Sequence, residues 1–253
     1  MFSKAIVRTP CRAVSQGITS ASLGVPDYAK ALAQHADYVC ALKECGLAVT
    51  QLAADEDFPD STFVEDVALM TSECAIITRP GAASRAGEIK SIAPSIEQFY
   101  DTVYAIQSPG TIEAGDIMMV GKHFFIGLSE RTNAEGAHQM TNFLQQHGMT
   151  ASLVGLDEVL HLKTGLGYLE NNTLLAYGEF LEKQEFQQFD IIEVDEDEAY
   201  AANSVWINGT VLTPKGFPKT KKQIETAGYK IREVYVSEFQ KIDGGLSCLS
   251  LRF

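Results

Sequence analysis

Cys248, His161 and a scattered set of acidic residues are the side chains whose types could carry covalent chemistry. Cys248 lies in the C-terminal stretch KIDGGLSCLSLRF, directly after Asp243-Gly244-Gly245, a turn-forming run that can bring backbone close to a ligand. A thiolate attacks electrophilic carbon, and an imidazolium nearby both stabilises the thiolate and protonates a leaving amine. His161, in VLHLKTG, is the candidate partner. The carboxylates indicate the electrophile. FPDSTFVEDVAL groups Asp60, Glu65 and Asp66 around Phe63, and IEAGD adds Glu113 and Asp116. Carboxylates turned toward one site repel each other unless a cation sits among them. A guanidinium fits, being planar and forked toward carboxylates, and Phe63 could cover its face. Arg85 and Arg131, in RPGAASR and SERTNAEG, could hold a substrate carboxylate. Each residue also has a plainer reading: a free cysteine packs as a small hydrophobe, and a histidine between leucines is commonly a satisfied core residue. Asp116 beside Gly115 reads as a turn cap, and each arginine as a surface ion-pair member.

The elements decide whether these residues meet. A unit of helix, strand, long loop and hairpin recurs along the chain. Unit one has a helix at 27–46, with Tyr28, Leu32, His35, Val39 and Leu42 at helical spacing and Gly46 as its stop. A strand at 47–52 follows, then a loop and a hairpin at 67–78. Unit two has a helix near 84–100, a strand at 102–107 and a hairpin at 117–127. Unit three has a helix at 133–147 stopped by Gly148, a strand at 150–156, a long loop, and then TLLAYGEFL (173–181). Unit four has a weaker helix near 179–189, a strand at 190–195 and a hairpin at 204–212, where Asn208-Gly209 is a strong two-residue turn signal. Unit five has a helix near 218–227 and a strand at 229–236, and ends in a single strand, 248–253. Its missing partner can be the first strand, 4–10, so pairing the termini closes a ring of five units. An open α/β sheet with uneven hairpins is the alternative. In the ring, five equivalent loops converge near one axis. They carry Asp60, Glu65 and Asp66; Glu113 and Asp116; His161; Asn203; and Cys248.

Bulk composition excludes several classes. The chain has 253 residues, 45% of them hydrophobic, enough for a single domain over 1–253 with a substantial core. The 20 basic and 33 acidic residues give a net charge of −13, which repels nucleic acid and anionic membranes. Cysteines 11, 40, 45, 74 and 248 form no CxxC pair, which fits a reducing, cytoplasmic setting rather than a disulfide scaffold. No apolar run reaches the ~18 residues of a membrane helix. Nothing in the histidine spacing suggests a metal site. Oligomeric state is not set by these patterns; a homodimer is compatible with them.

Together FPDSTFVEDVAL, RPGAASR, SERTNAEGA, LHLKTG and KIDGGLSCLS resemble the dimethylarginine dimethylaminohydrolases, of the guanidino-group-modifying superfamily, in their compact bacterial form. The resemblance spans nearly the whole chain. It implies a five-fold pseudosymmetric α/β propeller of helix–strand–hairpin (ββαβ-type) units, and hydrolysis of Nω-methylated arginine to L-citrulline without a cofactor. It places the nucleophile at Cys248, the acid/base at His161, and a guanidinium-binding carboxylate at Glu113. It sets Glu65 and Asp66 on the FVED acids with Asp66 at the guanidino group, Asp60 near the substrate's amino end, and Arg85 and Arg131 on its carboxylate. Ile242 matches a backbone contact, and Ile18 a mobile lid position that is usually leucine. An arginine deiminase-like hydrolase releasing ammonia is the nearest alternative. A non-catalytic binder of arginine-like ligands is the alternative of a different class.

Overall fold

The computed structural model describes all 253 residues. Fifteen strands form five three-stranded sheets: β15-β1-β2, β3-β4-β5, β6-β7-β8, β9-β10-β11 and β12-β13-β14. The strands are β1 Lys4–Arg8, β2 Ala48–Leu52, β3 Ala68–Met70, β4 Ala75–Ile77, β5 Val103–Ala105, β6 Ile117–Val120, β7 His123–Leu128 and β8 Thr150–Gly155; then β9 Leu166–Tyr168, β10 Thr173–Ala176, β11 Asp190–Glu193, β12 Val205–Ile207, β13 Thr210–Pro214, β14 Lys230–Val234 and β15 Leu251–Arg252. In each sheet an antiparallel pair is followed by a parallel strand. The strand that opens one sequence unit therefore completes the sheet begun by the preceding hairpin, because a parallel partner needs a crossover connection.

The ring closes as the pattern requires. β1 pairs antiparallel with β15, Ala5 opposite Arg252 and Ile6 opposite Leu251, and parallel with β2. The termini thus make the antiparallel pair that elsewhere comes from a hairpin.

Crossovers are helical in four blades: α1 Tyr28–Glu44, α2 Glu88–Ile96, α3 Ala134–Gln146 and α4 Pro218–Thr226. Local chemistry sets their ends. Asp27 and Asn133 accept the backbone N–H of Lys30 and Gly136 as N-caps. Gly46 and Gly148, at φ +88° and +69°, turn the chain out of α1 and α3 in the left-handed region. The helix read near 179–189 is absent. Two short 3₁₀ turns, Gly178–Leu181 and Gln184–Phe186, take its place. Their buried anchors Phe180 and Phe186 are six residues apart, which an α-helix would set roughly 120° apart around its axis. The chain buries both phenylalanines by not forming one. β9 is a strand where the sequence reads as loop, since three residues centred on Gly167 carry little pattern. Gly167 is obligatory there, since a Cβ would lie 2.6 Å from the Ala202 carbonyl.

Each inner strand is entered through a 3₁₀ turn: Val64–Val67, Ala114–Asp116, Leu162–Thr164, Glu196–Ala202 and Ser247–Leu249. The fifth corrects the reading of 248–253 as strand, for Cys248 sits inside a turn and β15 begins at Leu251. No helix is long and apolar enough to cross a membrane, and all five cysteines are free.

Candidate active site

The five turns set one residue each around the axis. Asp66 is inside the first, Glu113 and His161 immediately precede the second and third, Asn203 immediately follows the fourth, and Cys248 is inside the fifth. Residues 182 positions apart therefore meet, as Glu65 and Ser247 do at 2.7 Å.

Cys248 is partly buried, and Sγ accepts the N–H of Gly245 at 3.4 Å. Gly245 is a close approach, since a Cβ there would lie 2.5 Å from the Asn203 amide. Burial is the largest influence on the thiol. With Asp66 and Glu65 nearby it pushes Cys248 up to about 12, against the Gly245 N–H and Lys163. The resting sulfur is thus a thiol, and a cation entering beside it favours the thiolate.

His161 presents Nε2 to Glu113 Oε2 at 2.8 Å. Burial alone lowers the imidazole, but Asp66, the Glu113 hydrogen bond and Asp116 outweigh it and raise His161 to about 9. Burial likewise pushes Glu113 up, and the hydrogen bond and charge of His161, Arg85 and the Ala82 N–H hold it well below the carboxylate range. At neutral pH the pair is imidazolium and carboxylate, an acid poised to donate.

Asp66 accepts the Gly115 N–H at 3.1 Å and an Nη1 N–H of Arg85. Gly115 lets the acid and the imidazole approach: a Cβ would lie 2.7 Å from Asp66 Oδ1 and 3.1 Å from the His161 ring. Asp66, Glu113 and His161 present ligand-type atoms within 4.8 Å of one another, a cluster that the sequence separations hide. Arg85 and protonated His161 compensate its two negative charges. Asp116 is more than a turn cap. It is fully buried and accepts from the Leu162 N–H and the hydroxyls of Ser129 and Thr132, tying the His161 turn to the Arg131 loop.

A cavity of about 360 Å³ opens onto Cys248 and His161, with Ser20, Ala21 and Leu23 on its rim. A second cavity, about 130 Å³, runs between the inner strands. Lys163, Asn203 and Ser247 line both, so they form a septum with Glu65, whose carboxylate takes Lys163 Nζ at 2.6 Å and Arg252 at 3.1 Å.

Known proteins match this architecture. The chain is 58% identical to the N(G),N(G)-dimethylarginine dimethylaminohydrolase of Pseudomonas aeruginosa over 254 residues, covering 100% of both. The chain belongs to the dimethylarginine dimethylaminohydrolase family. Two solved structures of the family superpose with TM-scores of 0.99 at 57% identity, covering 100% of both chains. One is an adduct with S-methyl-L-thiocitrulline of a variant with histidine replaced by glycine; the other, from P. aeruginosa, has cysteine replaced by serine and is complexed with citrulline. The arginine deiminase family model also matches, over residues 92–209.

The other residues that the sequence singles out divide into those that face the cavity side and those that brace it. Asp60 accepts the backbone N–H of Ile18 at 3.0 Å, and exposed Ile18 leads into the cavity's rim. Ile242 is buried, and its side chain packs toward Gly17. Arg131 reaches Glu113 at 3.8 Å, and its side chain keeps 18% exposure. Three expectations change. Phe63 does not face the cavity: it packs edge-on against Phe239, beneath Gly244, where a Cβ would lie 2.2 Å from its ring. Glu65 is held in the septum by Ser247, Lys163 and Arg252. Arg85 is buried, with Nε and Nη2 on Glu88 at 2.9 and 2.8 Å, Nη2 also on the Phe63 carbonyl at 3.0 Å, and Nη1 on Asp66. Two neighbouring carboxylates need its charge, and the other Nη1 hydrogen is what remains for a ligand. Lys163 and Ser247 were missed as site residues; their proximity to His161 and Cys248 in sequence is the signal that could have found them.

Proposed function

We propose that the protein hydrolyses Nω,Nω-dimethyl-L-arginine, and Nω-monomethyl-L-arginine, to L-citrulline and dimethylamine or methylamine, with Cys248 as nucleophile. The observation that carries this is a thiol and a histidine on one cavity, the histidine held by Glu113 at 2.8 Å and kept protonated among carboxylates.

The guanidinium enters between Asp66 and Glu113, which orient it by charge-assisted hydrogen bonds. Its positive charge lowers the Cys248 thiol, whose proton leaves to solvent. The thiolate adds to the central carbon, and the methylated nitrogen, receiving the proton of His161, departs as the amine. A covalent thiouronium remains on Sγ. Neutral His161 then takes a proton from water, hydroxide equivalent adds to the same carbon, and the C–S bond breaks, the remaining hydroxyl proton passing to solvent, to release citrulline and the thiolate. Asp60, with backbone from Ile18 and Ile242, receives the substrate's ammonium group. Arg131 receives its carboxylate, while Arg85 acts chiefly by fixing Asp66.

An arginine deiminase-like reaction shares every step except the leaving group, and the match over residues 92–209 supports that relation. A citrulline assay across arginine, monomethylarginine and dimethylarginine separates the two. Higher kcat/KM for the methylated substrates is expected, and preference for arginine overturns the assignment. Cys248→Ser is expected to bind dimethylarginine and form no citrulline; wild-type turnover by that variant rules out the mechanism.

A further inference from the structure

Asn203 is the residue that the fourth turn brings to the axis, and the mechanism gives it no task. It is buried and makes three hydrogen bonds to two other turns. Its Nδ2 donates to the Lys163 carbonyl at 2.7 Å and to Ser247 Oγ at 3.0 Å, and its Oδ1 accepts the Ser247 N–H at 2.9 Å. Those partners fix the amide's orientation: exchanging O and N would set donor against donor at Ser247 and acceptor against acceptor at Lys163. Lys163 is two residues from His161, and Ser247 is the neighbour of Cys248. One amide therefore joins the acid/base loop to the nucleophile turn. The same amide sits where a Gly245 Cβ would be, 2.5 Å away, so it also sets the position of the peptide whose N–H meets Sγ.

We propose that Asn203 is a positioning residue that holds the Cys248 turn and the His161 loop at a fixed separation and keeps the Gly245 N–H aimed at the sulfur. This rests on the assignment of Cys248 and His161 above and adds a third residue to it. Asn203 acts through its neighbours, since its polar hydrogens and Oδ1 all have protein partners. Ser247 extends the linkage by donating to Glu65 at 2.7 Å, the carboxylate that also holds Lys163. Removing the amide thus loosens both ends of one network, and misalignment of reacting groups by an ångström costs rate rather than affinity. The charged and titratable groups around the sulfur include Asp66, Glu65, Lys163 and Tyr200, with His161 on the same cavity, and Asn203→Ala changes the charge of none of them.

The test is Asn203→Ala, read in two independent ways. The rate of Cys248 alkylation by iodoacetamide against pH reports the thiol without any substrate. Its midpoint is expected to rise by about half a unit or more as the Gly245 N–H loses its aim. Steady-state turnover of dimethylarginine is expected to show kcat lower by about tenfold to a hundredfold, with KM within about threefold of wild type. An unchanged midpoint with kcat within about threefold overturns the proposal, whatever happens to thermal stability. A raised KM at unchanged kcat also overturns it, because Asn203 would then bind substrate. If Asn203→Ala does not fold, Asn203→Ser adds no charge beside the sulfur and is too short to bridge both turns, and it carries the same expectations and the same overturning results. A wild-type protein that makes no citrulline sinks the assigned reaction, whereas the alkylation profile still decides the role of Asn203.

Discussion

At the scale of single residues, the site is a set of opposed charges into which a cation enters. Asp66 shares Arg85 with Glu88, Glu113 faces His161, and Glu65 takes both Lys163 and Arg252. Cys248 has no cation of its own, and Lys163, within the septum, acts on it against Glu65. The sign of each neighbour's effect follows. Glu65→Gln removes a negative charge that raises the thiol and leaves Lys163 uncompensated, so the midpoint of Cys248 alkylation against pH is expected to fall by about one unit. Lys163→Met leaves Glu65 facing the sulfur and is expected to raise it by a similar amount. Shifts in the same direction for both variants would mean that rearrangement of the septum, not charge, sets the thiol. Activity has the opposite limit. His161 is an acid only below about 9, so protonation of the leaving amine weakens as pH rises through that value.

At the scale of elements, the turn before each inner strand explains why adjacent residues have unlike roles. Successive residues of a 3₁₀ turn point roughly 120° apart. Glu65 and Asp66 therefore diverge, one into the septum and one toward His161, although FVED presents them as a pair. Helices and sheets were legible where caps, stops and periodicity agree, as in α1 and α3. They were not legible where burial of Phe180 and Phe186 overrides the helical period, nor in β9, whose three residues carry no alternation. The loops that hold Asp66, Glu113, His161 and Cys248 could be found because the ring makes them equivalent. Hydrogen bonds across long separations, such as Asn203 to Ser247, leave no local trace, and the same is true of the direction in which Arg85 points. Close approach by glycine is the element-scale device that the active site needs most. Gly115→Ala is expected to lower kcat by about a hundredfold, since its methyl group occupies the space between Asp66 and His161. The check is turnover of dimethylarginine alongside a thermal melt. Retained kcat would mean that the turn relaxes without moving either side chain.

At the scale of the whole molecule, the nucleophile is carried on the segment that closes the ring. β15 has two residues, and its partner β1 lies at the other end of the sequence, so the position of Cys248 depends on a contact between the termini. Leu251 is 3% exposed and packs in a core that includes Ile6, Val64, Ile77 and Ile92, while Phe253 lies edge-on to Phe99 at 5.2 Å. Leu251→Ala creates a cavity at that seam and is expected to cost about 2–5 kcal/mol. For a chain of this size such a loss lowers Tm by roughly 4–20 °C. Leu23 on the cavity rim is 54% exposed, and Leu23→Ala is expected to leave Tm unchanged. The two melts together distinguish a closed ring, in which the terminal strand contributes to one cooperative transition, from a propeller whose last strand is an appendage. If Leu251→Ala melts as wild type does, the seam is not part of the cooperative unit. Cys248 would then owe its place to the packing of its turn against the core and to the Asn203 and Gly245 contacts. If the variant shows one lowered transition and citrulline formation falls with it, the fold places its nucleophile by joining its ends.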